Sequence, residues 1–175
     1  MHPFLSYEDA PLCASLILPS LYLSDVYTAT SPTIFSNLGI THIVSVVATP
    51  RHDYPVIQAL EILHIQLDDS MHAKLEEYFD STSAWIQDAL TNGESKVLVH
   101  CVVGASRSPT IVIAYLMAKK GMSYETALAP VHERRSVVWP NVGFVQQLKG
   151  LERRLNNTDT EGKVVERQGL HSTIS

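Results

Sequence analysis

Three short runs of the chain are almost continuously apolar and rich in β-branched residues: Thr41–Val47 (Thr-His-Ile-Val-Ser-Val-Val), Glu61–Gln66 (Glu-Ile-Leu-His-Ile-Gln) and Lys96–His100 (Lys-Val-Leu-Val-His). Runs of this length and composition predict buried strands. Between the second and third, Leu75, Tyr78, Phe79, Thr82, Ile86, Ala89 and Leu90 recur at helical spacing among polar residues. That period predicts an amphipathic helix over Leu75–Leu90, ending near Asn92-Gly93. Ahead of these, Ser15–Leu18 and Leu21–Leu23 flank Pro19-Ser20 and predict two short strands joined by a turn. Ser31-Pro32 supplies a cap and a first-turn proline and Gly39 a stop, so Pro32–Leu38 reads as a short helix.

The second half of the chain is helical. Ser108-Pro109 opens an apolar helix running to about Lys120 and stopped by Gly121, and Ser123 caps another through about Glu133. Asn141 caps the last helix, which carries Phe144, Val145, Leu148 and Leu151 on one stripe. Beyond about Asn156 the sequence is polar and lacks aromatic residues, so residues 156–175 are expected to fray or to be disordered. Strands alternating with helices, then helices alone, predict an α/β fold with a central sheet of about five strands flanked by helices.

Composition narrows the function classes. With 175 residues, 45% of them hydrophobic, the chain can bury one substantial core. Thirteen basic residues against 18 acidic ones give a net charge of -5, which argues against nucleic acid or an anionic membrane as partner. Any anion must be held by a local site. No long apolar stretch reads as a signal peptide or a membrane span, and the termini match neither the myristoylation nor the prenylation pattern. Cys13 and Cys101 are too few for a disulfide framework and lack zinc-ligand spacing, so a reducing compartment, cytoplasmic or nuclear, is expected. The histidines are scattered, and neither a metal nor another cofactor is expected.

The segment carrying chemistry is His100-Cys101-Val102-Val103-Gly104-Ala105-Ser106-Arg107-Ser108-Pro109, between an expected strand and an expected helix. The backbone N–H groups of Val102 to Arg107, at a helix N-terminus, make a ready anion site, and Gly104 permits a conformation or an approach that a side chain would obstruct. Arg107 adds a planar fork of donors matching two phosphate oxygens. The same field favours thiolate: cysteines at helix N-termini ionise at about 3.5–7.5 instead of about 8.5. Cys101 is therefore the candidate nucleophile, and Ser108 can donate to its sulfur and ease its departure.

On these residues the chain resembles the dual-specificity protein phosphatases, a branch of the cysteine-based protein tyrosine phosphatases. The resemblance covers roughly Ser15 to Leu155 and extends to Leu21-Tyr22-Leu23-Ser24, Asp68-Asp69-Ser70, Trp85-Ile86, Ala114-Tyr115-Leu116-Met117 and Arg134-Arg135-Ser136-Val137-Val138-Trp139-Pro140-Asn141. It implies a mostly parallel sheet, a catalytic domain over 15–155 between an extension at 1–14 and the tail, no metal, and hydrolysis of phosphotyrosine and often phosphoserine or phosphothreonine in phosphorylated proteins. By the same resemblance His100 helps set the ionisation of the sulfur, and Asn141 helps fix the catalytic loops. The roughly fifteen residues before the first strand leave no room for a kinase-docking domain, so a small stand-alone member is expected.

A leaving oxygen needs a proton, and topology narrows the source. If Glu61–Gln66, the following helix and Lys96–His100 form a parallel strand–helix–strand unit, the loop after the first strand faces the Cys101 loop. That loop contains Asp68 and Asp69; the resemblance favours Asp69 as general acid, with Asp68 supporting. Arg51 and His52 follow Thr41–Val47 on the same edge and either wall the pocket or are ordinary surface charges. Arg134 and Arg135 read either as contacts to a second phosphate or acidic peptide, or as a solvated pair. Cys13 reads as a small core or surface residue, with redox pairing to Cys101 a minor alternative. The rivals are a phosphatase of phosphoinositides, RNA 5′-phosphates or phosphoglycans, a phosphoprotein-binding protein without turnover, and a sulfur-transfer domain; the uncharged Val102–Ala105 stretch argues against the first, the presence of Cys101, Arg107 and an acid against the second, and the Arg107-Ser108-Pro109 continuation against the third.

Overall fold

The computed structural model describes residues 13–51, 53–55 and 59–169, with side chains to Asn157. His2, His52, His171, most of the N-terminal extension and the last six residues of the tail lie outside the described residues.

Five strands, β1 (Ser15–Leu18), β2 (Leu21–Ser24), β3 (His42–Val46), β4 (Glu61–Ile65) and β5 (Val97–His100), form one sheet in the order β1-β2-β5-β3-β4. β1 pairs antiparallel with β2, and every other pairing is parallel. The period-two alternation of strand side chains sorts the core into two layers. Leu98 and Ile43 point to one face, where Ala29, Phe35 and Ile40 cover them. Val97, Val99, Val44 and Val46 point to the other and pack under the helices of the second half of the chain.

β4 departs from the expected buried strand. It is the sheet's outer strand, with Glu61 and Ile62 exposed and Ile65 buried, because only β3 pairs with it.

Among the described residues six α-helices surround the sheet: α1 (Val26–Ala29), α2 (Pro32–Leu38), α3 (Phe79–Thr91), α4 (Arg107–Lys120), α5 (Tyr124–Arg134) and α6 (Val142–Gly169). α2 is capped by the Ser31 hydroxyl, which accepts from the Ile34 N–H, and ends at the left-handed Gly39, as its sequence predicts. The amphipathic stretch after β4 begins as a 3-10 turn, Leu75–Tyr78, before α3; Lys74 offers no side-chain cap there. α1 was not legible as a periodic pattern, being a single turn capped by Asp25, whose Oδ1 accepts from the Thr28 N–H at 2.8 Å. α6 runs to Gly169, past the expected end near Asn156: the added stretch contains no proline, and its polar residues are compatible with helix. No described helix is long and apolar enough to cross a membrane.

β5 is the central strand and α4 the most buried helix, with Arg107 to Met117 all buried. The turn between them, residues 101–106, therefore sits at the carboxyl edge of the parallel strands, where open α/β sheets bind ligands. Asp68 and Asp69, beyond the carboxyl end of β4, reach the same edge.

Candidate active site

Peptide planarity turns the hydrogen bonds of the 101–106 turn into an orientation for its amides. In a trans peptide the C=O of one residue and the N–H of the next point in opposite directions, and the chain contains no cis bond among the described residues. Five successive carbonyls are held by groups outside the turn. Cys101 O lies 3.3 Å from His100 Nδ1, and Val102 O accepts from the Val26 N–H at 3.2 Å. Val103 O and Gly104 O accept from Arg135 Nη2 and Nε at 3.1 and 2.9 Å, and Ala105 O accepts from the Trp139 N–H at 2.7 Å. The N–H groups of Val102 to Ser106 are thereby turned the other way, toward the concave side, where the dipole of α4 adds positive potential.

Cys101 lies under this ring, 1% exposed. Its Sγ accepts from the Gly104 N–H at 3.2 Å and from the Ser108 hydroxyl at 3.1 Å. Gly104 is required twice. Its φ of +73° is left-handed, and a Cβ there would stand 2.6 Å from Ser24 O and 2.7 Å from Arg135 Nη2.

His100 is fully buried behind the turn, and its ring Nε2 lies 2.7 Å from the Tyr54 hydroxyl, which is also 2.8 Å from Ser45 Oγ. Burial pushes the imidazole pKa from 6.5 down to about 4, so the ring is neutral at physiological pH. Since a carbonyl can only accept, the contact to Cys101 O puts its proton on Nδ1.

Arg107 reaches across the pocket. Its Nη1 donates to Leu67 O at 3.2 Å, while its buried Nε makes no hydrogen bond, with Asp69 Oδ2 3.6 Å away. Asp69 is fastened to the turn: its Oδ1 accepts from the Ser106 hydroxyl at 2.7 Å and from Asn141 Nδ2 at 2.8 Å. Ser106 Oγ also accepts from the Asn141 N–H, and Asn141 Oδ1 caps α6 through the Phe144 N–H. Asp68, with Arg51, Tyr27, Val26, Val47, Ala48, Thr49, Asp69, Val102 and Arg107, lines a cavity of about 400 Å³ over the turn. Arg51 is ion-paired with Asp53 on its own loop.

The structure thus brings together Cys101, Arg107, Ser108, Asp69, Asp68, His100 and Asn141, and adds groups the sequence reading missed. Tyr54 follows no recognisable pattern and reaches His100 from a separate loop. Gly143 carries no signal in the sequence, but a Cβ there would collide with Met71 O, so it permits the start of α6 to lie against the loop that carries Asp68 and Asp69. Arg135 is neither solvated nor turned to the pocket: it is 9% exposed and bound to the back of the turn, a correction to both readings for this member of the arginine pair. Arg134 is exposed and donates to Pro130 O. Cys13 is exposed and free, its N–H bonded to Thr28 Oγ1 and its carbonyl to Arg135. Among the described residues no group of acidic, histidine and cysteine side chains is arranged to hold a metal ion.

Comparison with known proteins agrees with this geometry. The family model for the dual specificity phosphatase catalytic domain matches residues 21–154. Dual specificity protein phosphatase 1 of Arabidopsis thaliana is 40% identical over 145 residues, spanning 83% of this chain and 72% of its own. Human dual specificity protein phosphatase 13B is 37% identical over 145 residues, 79% of this chain and 72% of its own. Among solved structures, a mouse putative dual specificity phosphatase complexed with zinc tungstate superposes with a TM-score of 0.78 at 29% identity, covering 86% of this chain and 92% of that one. Human DUSP28 gives 0.77 at 28% identity, covering 84% and 97%. A strand-to-helix turn that aims its amides over a buried cysteine, matched along most of the chain by this family's model, identifies the chain as a member of the dual specificity phosphatase family.

Proposed function

We propose that the chain hydrolyses phosphotyrosine and phosphoserine or phosphothreonine in proteins through a phosphocysteine on Cys101. Membership of the family supports protein phosphatase function in general. The observation that carries the finer reading is the outward tethering of five consecutive carbonyls around the Cys101 sulfur, which leaves an amide-lined seat for a tetrahedral oxyanion. A structural relative complexed with tungstate, a tetrahedral oxyanion like phosphate, is consistent with it.

In this reading the phosphoryl oxygens sit on the turn's N–H groups and on Arg107, whose Nε is the unused buried donor. The Cys101 thiolate attacks phosphorus, the S–P bond forms and the P–O bond to the side chain breaks, and the departing oxygen takes a proton from Asp69. Asp69 Oδ1 is engaged by Ser106 and Asn141, so Oδ2 is the oxygen that carries the proton. In the second step Asp69, now a carboxylate, accepts a proton from water as the water attacks phosphorus and the S–P bond breaks. The Ser108 hydroxyl stabilises the thiolate as it leaves. Asp68 supports from the cavity wall. No step calls on a metal or other cofactor.

The test is phosphate release, without added metal, from phosphotyrosyl, phosphothreonyl, inositol lipid and RNA 5′-phosphate substrates, with acid-quenched protein analysed by mass spectrometry. Phosphate on Cys101 during turnover of both phosphopeptide classes is expected, and Cys101→Ser should bind inorganic phosphate without turnover. Normal activity of Cys101→Ser would remove the covalent mechanism. Turnover confined to phosphotyrosine would remove dual specificity, and turnover confined to lipid or RNA would remove the protein substrate.

A further inference from the structure

We infer that Arg135 is a positioning residue for the oxyanion seat, acting from behind the turn rather than on the substrate. This inference rests on the proposed function and names a group on which that function depends. The guanidinium is buried, and four of its five N–H donors are spent on the protein: Nε on Gly104 O at 2.9 Å, Nη2 on Val103 O at 3.1 Å and on Asp25 Oδ2 at 3.4 Å, and Nη1 on Cys13 O at 3.4 Å.

Two consequences follow from the pair of carbonyls it holds. First, the peptide 103–104 is fixed so that the Gly104 N–H faces Cys101 Sγ, where the 3.2 Å contact is found. The peptide 104–105 is fixed likewise, turning the Ala105 N–H inward. One planar fork thus sets two adjacent amides with two bonds of defined direction, which the single ammonium of a lysine cannot reproduce. Second, a cation bonded to a carbonyl polarises that peptide and strengthens its N–H as a donor. The positive charge on the outer side of the turn is therefore relayed to the sulfur and to the bound oxyanion.

Arg135 also joins three separate pieces of chain to the turn. Asp25 accepts from Arg135 with one carboxylate oxygen and caps α1 with the other, and α1 in turn supplies the Val26 N–H that holds Val102 O. Cys13, ahead of β1, is held through its carbonyl. The end of α5, the start of α1 and the entry to the sheet are registered on the same two peptides.

The test uses the full chain with Arg135→Lys, Arg135→Met and Arg135→Ala. Inorganic phosphate binding is measured in a Cys101→Ser background, kcat and KM with an aryl phosphate in the Cys101 protein, and thermal unfolding in both. The expected result is at least tenfold weaker phosphate binding in Arg135→Lys and Arg135→Met while they remain folded, with a raised KM and a lowered kcat. Added guanidinium ion at millimolar concentration should restore activity to Arg135→Ala, and methylammonium should not. Phosphate binding within about twofold of the parent in either folded variant would overturn the inference. Should Arg135→Met unfold, Arg135→Lys and guanidinium rescue of Arg135→Ala decide it: absence of rescue together with parental phosphate affinity in Arg135→Lys overturns it. A parent protein that neither binds nor releases phosphate would instead overturn the function itself.

Discussion

Gly104→Ala is the substitution for which the structure gives the sharpest magnitude, because a second glycine serves as its control. Gly104 and Gly121 have nearly the same left-handed φ, +73° and +65°, but an added Cβ meets nothing within 4 Å at Gly121 and meets Ser24 O at 2.6 Å and Arg135 Nη2 at 2.7 Å at Gly104. Alanine in the left-handed region costs about 1–2 kcal/mol at either site. For a chain of this size that lowers Tm by roughly 2–8 °C, at about 2–4 °C per kcal/mol. At Gly104 the carbonyl in the way belongs to Ser24, which is paired with His100 in the sheet and cannot retreat, so the turn must move instead. Moving it stretches the Gly104 N–H bond to Cys101 Sγ and the Arg135 bonds behind it. Hydrogen bonds to charged groups contribute about 1.5–3 kcal/mol each, so losing one or two costs roughly 1.5–6 kcal/mol in the transition state, about 10- to 10⁴-fold in rate. The assay is kcat/KM on an aryl phosphate beside Tm for each variant. Gly121→Ala should lose a few degrees and almost no activity. Gly104→Ala with activity within threefold of Gly121→Ala would refute the argument that close approach, and not conformation alone, demands glycine there.

Asp69→Asn should slow cleavage of alkyl and ordinary aryl phosphates about 10²–10⁴-fold while sparing substrates with very acidic phenol leaving groups; the same pattern in Asp68→Asn and not in Asp69→Asn would move the acid by one position. Ser108→Ala removes a donor to the Cys101 sulfur at 3.1 Å, worth about 10- to 150-fold from roughly 1.5–3 kcal/mol if the sulfur leaves as an anion, so rapid mixing should reveal a burst of phenol and slow phosphate release. A single-phase time course with an unchanged rate would contradict that role. His100 makes stability depend on pH: its folded pKa of about 4 lies below its ordinary 6.5, so between these values the unfolded chain binds the extra proton and stability falls as pH falls. The full loss is about 3 kcal/mol at about 1.4 kcal/mol per unit. Denaturant midpoints between pH 7 and 4.5 should drop in the wild type, and a decline of the same size in His100→Gln would assign the effect to other groups.

Much of this site was legible because its chemistry is local in sequence. Strand, cysteine, glycine, arginine and helix lie within 24 residues, Val97 to Lys120, and their order alone describes an anion seat. Asp69 was reachable by a topological argument, since parallel strands present their loops to one edge, and its bonds to Ser106 and Asn141 fit that placement. The outer layer was not legible. Arg135 follows the end of an exposed helix face beside another arginine, and nothing in sequence separates a solvated guanidinium from one folded back on Gly104 O thirty-one residues away. Tyr54 and Gly143 are hidden for the same reason, because their partners, His100 and Met71 O, are set by how loops meet in space. Helix ends that depend on weak polar propensity, such as that of α6, were also beyond the pattern.

The fastening of Asp69 to the turn bears on how this protein handles turnover. Ser106, Asn141 and the first turn of α6 tie Asp69, the proposed acid, to the turn that carries Cys101, the proposed nucleophile. In the proposed mechanism an acid held in this way requires no hinged lid to swing inward before bond breaking, so remote parts of a substrate would not need to supply energy for closure, and product departure would not be gated by reopening. Under the proposed function, selection among phosphorylated partners would rest on the contour of the cavity rim, with Tyr27, Arg51 and Val102 in its lining, and turnover should be insensitive to solvent viscosity.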